Sequence, residues 1–120
     1  MTYLKAFTTQ AENFFTELTE MFPHDKNIKI AQTSLMFIKK TNPRKLLELF
    51  KYYIYRYETK IMQRDESFFL QRSFDDDMSE YVKSLNAVTD LKDHWCTMSE
   101  KTKDSIWMYF IVLIKLSKKA

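Results

Sequence analysis

Ile106-Trp107-Met108-Tyr109-Phe110-Ile111-Val112-Leu113-Ile114 is a run of nine residues without a polar break, and its reading decides the fold. At roughly 100° per residue, Ile106, Phe110, Leu113 and Ile114 share one face of a helix. Met108, Tyr109, Val112 and Leu116 cover the other side. A helix that is apolar all round is either the centre of a bundle or shared with a second copy of the chain, so both readings stand for residues 106–116. The run is too short for a membrane span, which takes about 18 or more apolar residues. Before it stands Thr97-Met98-Ser99-Glu100, the form of a capping box with Thr97 at the N-cap and Glu100 three residues on. After it come Lys115, Lys118 and Lys119, which suit the negative end of a helix.

The chain around this helix contains no glycine in 120 residues, where average usage gives about eight. Phosphate-cradling loops, dinucleotide fingerprints and nucleophile elbows all use glycine for positive φ or close backbone approach. Tight hairpins favour it as well. With two prolines only, a turn-rich β fold is not expected, and an all-α class is. The 45% hydrophobic and 29% charged composition is that of a folded domain. A single cysteine, Cys96, provides no disulfide framework and fits a reducing compartment. Met1-Thr2-Tyr3-Leu4-Lys5 lacks the character of a signal peptide, so an intracellular rather than a secreted protein is expected.

Apolar spacing places the other helices. Leu4, Phe7, Ala11, Phe14, Phe15, Leu18, Met21 and Phe22 recur every three or four residues, with Thr2 as N-cap and Pro23 at the exit. Asp25 caps a second helix running to about Thr41, with Ile28, Ala31, Leu35 and Ile38 inward. Ile30 and Phe37 fall on its opposite side among Lys26, Lys29 and Lys40. Asn42-Pro43 then reads as N-cap and first helical residue. The third helix places Leu46, Leu47, Phe50, Tyr53, Ile54, Tyr57 and Ile61 on one broad face, with Tyr52 and Tyr55 pointing away. A short helical turn over 65–70, capped by Asp65, is expected to tuck Phe68 and Phe69 under the bundle. Asp75, Asp76 and Asp77 precede the periodic Met78, Tyr81, Val82, Leu85 and Val88, where acids suit a helix start. The result is a single compact bundle of about five helices plus a short helical turn, with residues 1–120 as one domain.

Chemistry-bearing spacings are sparse. The acidic run with Glu80 lacks the alternation and the glycine of a calcium loop. His94 and Cys96, with His24 as the other histidine, fall short of a zinc ligand set. Trp95 between them reads as a plug over the end of the core. No catalytic residue, cofactor or metal site is expected.

Charge is segregated behind a net +3. Lys26, Lys29, Lys39, Lys40, Arg44 and Lys45 lie between 26 and 47 without one acid. Asp65, Glu66, Asp75, Asp76, Asp77 and Glu80 lie between 65 and 82 against Arg72 alone. Such poles suit protein–protein association. Nucleic-acid binding through the basic 26–47 segment is the alternative, and the acidic segment counts against it.

Several stretches carry a resemblance: Phe14-Phe15 with Phe22-Pro23; Lys39-Lys40-Thr41-Asn42-Pro43-Arg44; the residues from Ile61 to Asp65 with Phe68-Phe69-Leu70; and Met98-Ser99-Glu100-Lys101 leading to Lys115-Leu116-Ser117. Over about residues 7–117 the chain resembles a group of short uncharacterised proteins of nucleocytoplasmic large DNA viruses of algae and protists. The resemblance implies viral origin and a place in the infected cell or the virion. It implies a minor virion or assembly component, or an adaptor acting on viral or host proteins, and brings no catalytic residues. The contact residues expected for such a non-enzymatic interaction module are Phe37, Lys40, Arg44, Tyr52 and Tyr55.

Overall fold

Thr2 opens the first helix, α1 (Tyr3–Met21), by accepting the Lys5 N–H at Oγ1, 3.1 Å away. The structure, a computed structural model, describes residues 2–66 and 94–120, apart from the side chains of Tyr53 and Arg56. The helix expected from Met78 to Val88, its acidic cap and the expected positions of Phe68, Phe69 and Tyr53 lie outside the described residues. Within them the protein is an all-α bundle, with no strand among the described residues.

Phe7, Ala11, Phe14 and Leu18 form the buried stripe of α1, as the spacing of three and four predicts. The chain turns at Pro23 into α2 (Lys26–Thr41), which buries Ile28, Ala31, Leu35 and Ile38. Asp25 caps it, its Oδ1 accepting from Asn27 N–H at 3.0 Å and Ile28 N–H at 3.2 Å. Asn42 then serves two helices. Its N–H donates to Ile38 O at 2.7 Å, closing α2. Its Oδ1 accepts from Lys45 N–H at 3.2 Å, opening α3 (Pro43–Ile54) with Pro43 at the first position.

The third helix does not continue to Ile61 as its periodicity predicts. It gives way to a 3₁₀ turn (Tyr55–Tyr57) and a short α4 (Glu58–Met62). Ile54 at φ −105° and Tyr57 at φ −107°, ψ 11° depart from helical geometry and bend the path. The bend brings Tyr55 to the last helix, where its hydroxyl meets Ser117 Oγ at 2.6 Å. Tyr55 also stands edge-on to Phe50, with ring centroids 6.4 Å apart. This corrects the expectation that Tyr55 points away from the core.

Arg64 ends α4 at φ 54°, the left-handed cap position usually held by glycine. The chain has none. Arg64 N–H donates to Ile61 O at 3.0 Å and Asp65 N–H to Lys60 O at 2.8 Å, the two bonds of a Schellman closure. The Arg64 guanidinium reaches the last helix, pairing with Asp104 at 2.8 Å and lying 3.3 Å from Met108 Sδ.

That last helix, α5 (Glu100–Lys119), begins two residues later than the Thr97 capping box predicts. Thr97 and Met98 still donate their N–H groups backwards, to His94 O at 3.0 Å and Trp95 O at 3.2 Å. Their backbone is closing the preceding turn, so Ser99 takes the cap and accepts from Thr102 N–H at 3.2 Å. Ile106, Trp107, Phe110, Leu113, Ile114 and Ser117 are buried, while Met108 on the opposite side is 49% exposed. An apolar sequence all round thus buries one face within the chain. No described helix is long and apolar enough to cross a membrane.

α1 packs on α5, α2 and α3. Phe14 stacks on Tyr109 at 5.0 Å and meets Phe110 edge-on at 5.3 Å, and Phe7 meets Phe50 edge-on at 5.2 Å. Trp95 is the plug expected: 1% exposed and edge-on to Trp107 at 5.4 Å. Its indole N–H donates to Glu66 Oε1 at 3.0 Å. That bond and Lys103, which reaches the same oxygen, hold the Glu66 carboxyl below its ordinary range.

Candidate contact surface

With Ile28, Ala31, Leu35 and Ile38 turned inward, helical geometry turns Lys26, Ile30, Thr33, Phe37 and Lys40 outward on α2. Phe37 is 67% exposed, Ile30 50% and the adjoining Met36 46%. Ile30 and Phe37 stand two turns apart, about 10.5 Å along the axis. Lys26, Lys29 and Lys40 border them, and the Asn42-Pro43 corner brings Arg44 directly after Lys40. None of these four cations forms an ion pair among the described residues.

The Asp25 carboxylate at the N-cap of α2 is the acid nearest in sequence to Lys26 and Lys29. Lys26 and Lys29 sit in the first turn of α2, which contains no acid. The helix dipole is positive there and disfavours cations by about 0.3–1 kcal/mol each. Lys39 and Lys40 in the last turn lie at the favourable end. Lys39, however, faces inward enough to pair with Glu12 of α1. The basic segment is therefore not one solvated surface, since Lys39 is neutralised across a helix contact and the others are not.

The expected contact residues separate into three groups. Phe37 and Lys40 share the outer side of α2, and Arg44 follows in the first turn of α3. Tyr52 is 64% exposed but belongs to α3, about 12 Å along that helix from Arg44. Tyr55 turns toward Ser117 and is only partly exposed. Met36 joins the exposed strip as an addition to the expected set; its one signal in the sequence is its place beside Phe37.

His94 has a role that its spacing to Cys96 does not reveal. Its ring stacks on Phe22, with centroids 4.1 Å apart, and its Nε2 lies 2.9 Å from Asp25 Oδ2. It thereby braces the residue that caps α2. A shallow open depression lies at this α1–α2 turn beside His24. Cys96 is exposed. Among the described residues, no group of three or more His, Cys, Asp or Glu side chains converges as a metal set would. Tyr109, covered by α1, has its hydroxyl held above the ordinary tyrosine range, mainly by burial and then by its hydrogen bond to Glu17.

No family of known proteins, no curated protein and no solved structure matches this chain.

Proposed function

We propose that the protein is a non-enzymatic interaction module that docks on another protein through the outer strip of α2 and the Arg44 corner. The observation that carries this reading is Phe37, 67% exposed beside cations that no acid neutralises among the described residues. An aromatic side chain ringed by a charged rim is the arrangement of an interface anchor. The viral resemblance extends the proposal to a minor virion or assembly component, or an adaptor, acting on viral or host proteins inside the infected cell. Reversing two charges, Lys40→Glu with Arg44→Glu, removes partner capture and leaves the melting temperature nearly unchanged, because both side chains are exposed. Capture that survives the double reversal refutes the assignment.

The cations between 26 and 45 also support a second reading, nucleic-acid binding by an accessory protein. It requires affinity that falls steeply with salt as counterions are released. Absence of retention on DNA or RNA at low salt ends it. Pairing of two copies through residues 106–116 is supported by Met108, half-exposed on the outer side of α5. A solution mass above that of the 14.6 kDa monomer, by light scattering at high salt, is its test.

A further inference from the structure

We propose that the outer strip of α2 receives an acidic amphipathic helix of another protein, with apolar side chains seated on Ile30 and Phe37 and carboxylates paired to Lys26, Lys29 and Lys40. The inference rests on the docking reading and specifies the partner's chemistry. The receiving surface is itself an uninterrupted helix, so its exposed apolar pair repeats at seven residues. A helix laid alongside presents anchors at the same interval, the i and i+7 positions of a helix recognised along one face. No acid occurs from Lys26 to Leu47, so the strip presents one sign of charge and favours an acidic partner surface.

Other occupants fit less well, and a second copy offering its acidic 65–82 segment would show as a solution mass above that of the monomer. A second copy meeting α2 on α2 would oppose lysines with lysines, with no acid of the segment between them. A second copy meeting it through the exposed side of α1 presents Thr9, Asn13, Thr16 and Glu20. That side offers a single carboxylate and no apolar seat for Phe37. A phosphate backbone uses the cations and leaves Ile30 and Phe37 without a contact. An anionic bilayer needs a broad apolar face to enter the interface, whereas Thr33 stands between the two apolar residues of this strip.

The test is a titration of the isotope-labelled full chain, followed by amide NMR. The probe is a stapled helical peptide with leucines at i, i+3 and i+7 and glutamates on both flanks, and the control has lysine at every glutamate position. The glutamate peptide is expected to shift amides within residues 26–44, with affinity that drops on adding salt. Phe37→Ala, or Lys40→Glu with Arg44→Glu, weakens it about tenfold. The lysine peptide produces no such shifts. Equal shifts from both peptides, shifts centred outside 26–44, or no shifts overturn the proposal. So does tighter binding of phosphatidylserine vesicles or duplex DNA through the same residues. Failure of the peptide while the double charge reversal still abolishes protein capture removes the acidic helix and keeps the docking surface. Failure of both removes the surface as well.

Discussion

Leu35 and Phe37 are two residues apart on α2, and the structure requires them to behave oppositely when truncated to alanine. Leu35 is 4% exposed in the core, whereas Phe37 is 67% exposed. Leu35→Ala deletes buried methyls and leaves a cavity, costing about 2–5 kcal/mol. With a urea slope of about 1–3 kcal/mol per molar, the unfolding midpoint falls by about 0.7–5 M. For Phe37 only about a third of the side chain is removed from water. A fully buried phenylalanine gains about 1.5–3 kcal/mol, so truncation forfeits about 0.5–1 kcal/mol. Alanine returns about 0.5 kcal/mol in helix propensity. The net loss is about 0–0.5 kcal/mol, close to the scatter of surface substitutions. Urea unfolding followed by far-UV circular dichroism separates the two outcomes. Equal losses for the two variants would place Phe37 in the core and refute the assignment of the α2 faces.

Asp25→Ala removes the cap of Asn27 and Ile28 and the partner of His94 together, and is expected to lower stability by about 1–2 kcal/mol in the same urea assay. Arg64→Gly relieves a left-handed backbone at φ 54°. It gives up an ion pair whose members are 41% and 65% exposed and the contact with Met108 Sδ, both weak at the surface, so stability should rise by about 0.5–1 kcal/mol, read as a higher melting temperature. The Tyr109 hydroxyl titrates above the ordinary value of 10.0. The folded state thus keeps a proton that the unfolded state releases, and the stabilisation linked to it is full below about pH 10. It is lost as the pH rises through the folded value, so Tyr109→Phe should flatten the alkaline fall in stability. The difference in tyrosinate absorbance near 295 nm between the parent chain and Tyr109→Phe isolates this group among seven tyrosines, and titration at the ordinary value would contradict its burial.

The helix caps are legible in the sequence because each uses local chemistry. Thr2, Asp25 and Asn42-Pro43 begin helices within a residue of where their side chains direct. Thr97 fails as a cap because its backbone is engaged by His94, a constraint from the preceding turn that a capping motif does not contain. Periodicity misplaces Tyr55 because it assumes a constant rotation per residue, and the 3₁₀ bend after Ile54 breaks it. What stands across that bend is Ser117, fully buried, whose hydroxyl donates to Ile114 O and meets Tyr55. The Glu12–Lys39 pair and the His94–Asp25 contact join residues 27 and 69 positions apart. No local spacing signals such contacts. The exposed α2 strip, by contrast, is readable as soon as the core face is known, since the two faces of one helix determine each other.

The most direct test of the docking surface is a photoreactive benzoylphenylalanine placed at Phe37, compared with the same group at Asn13 on the exposed side of α1. Irradiation in cells producing the protein is followed by identification of the covalent products. Position 37 should cross-link to a different protein, position 13 should not, and Lys40→Glu with Arg44→Glu should abolish the product. No product from position 37, or equal products from both positions, would contradict the account.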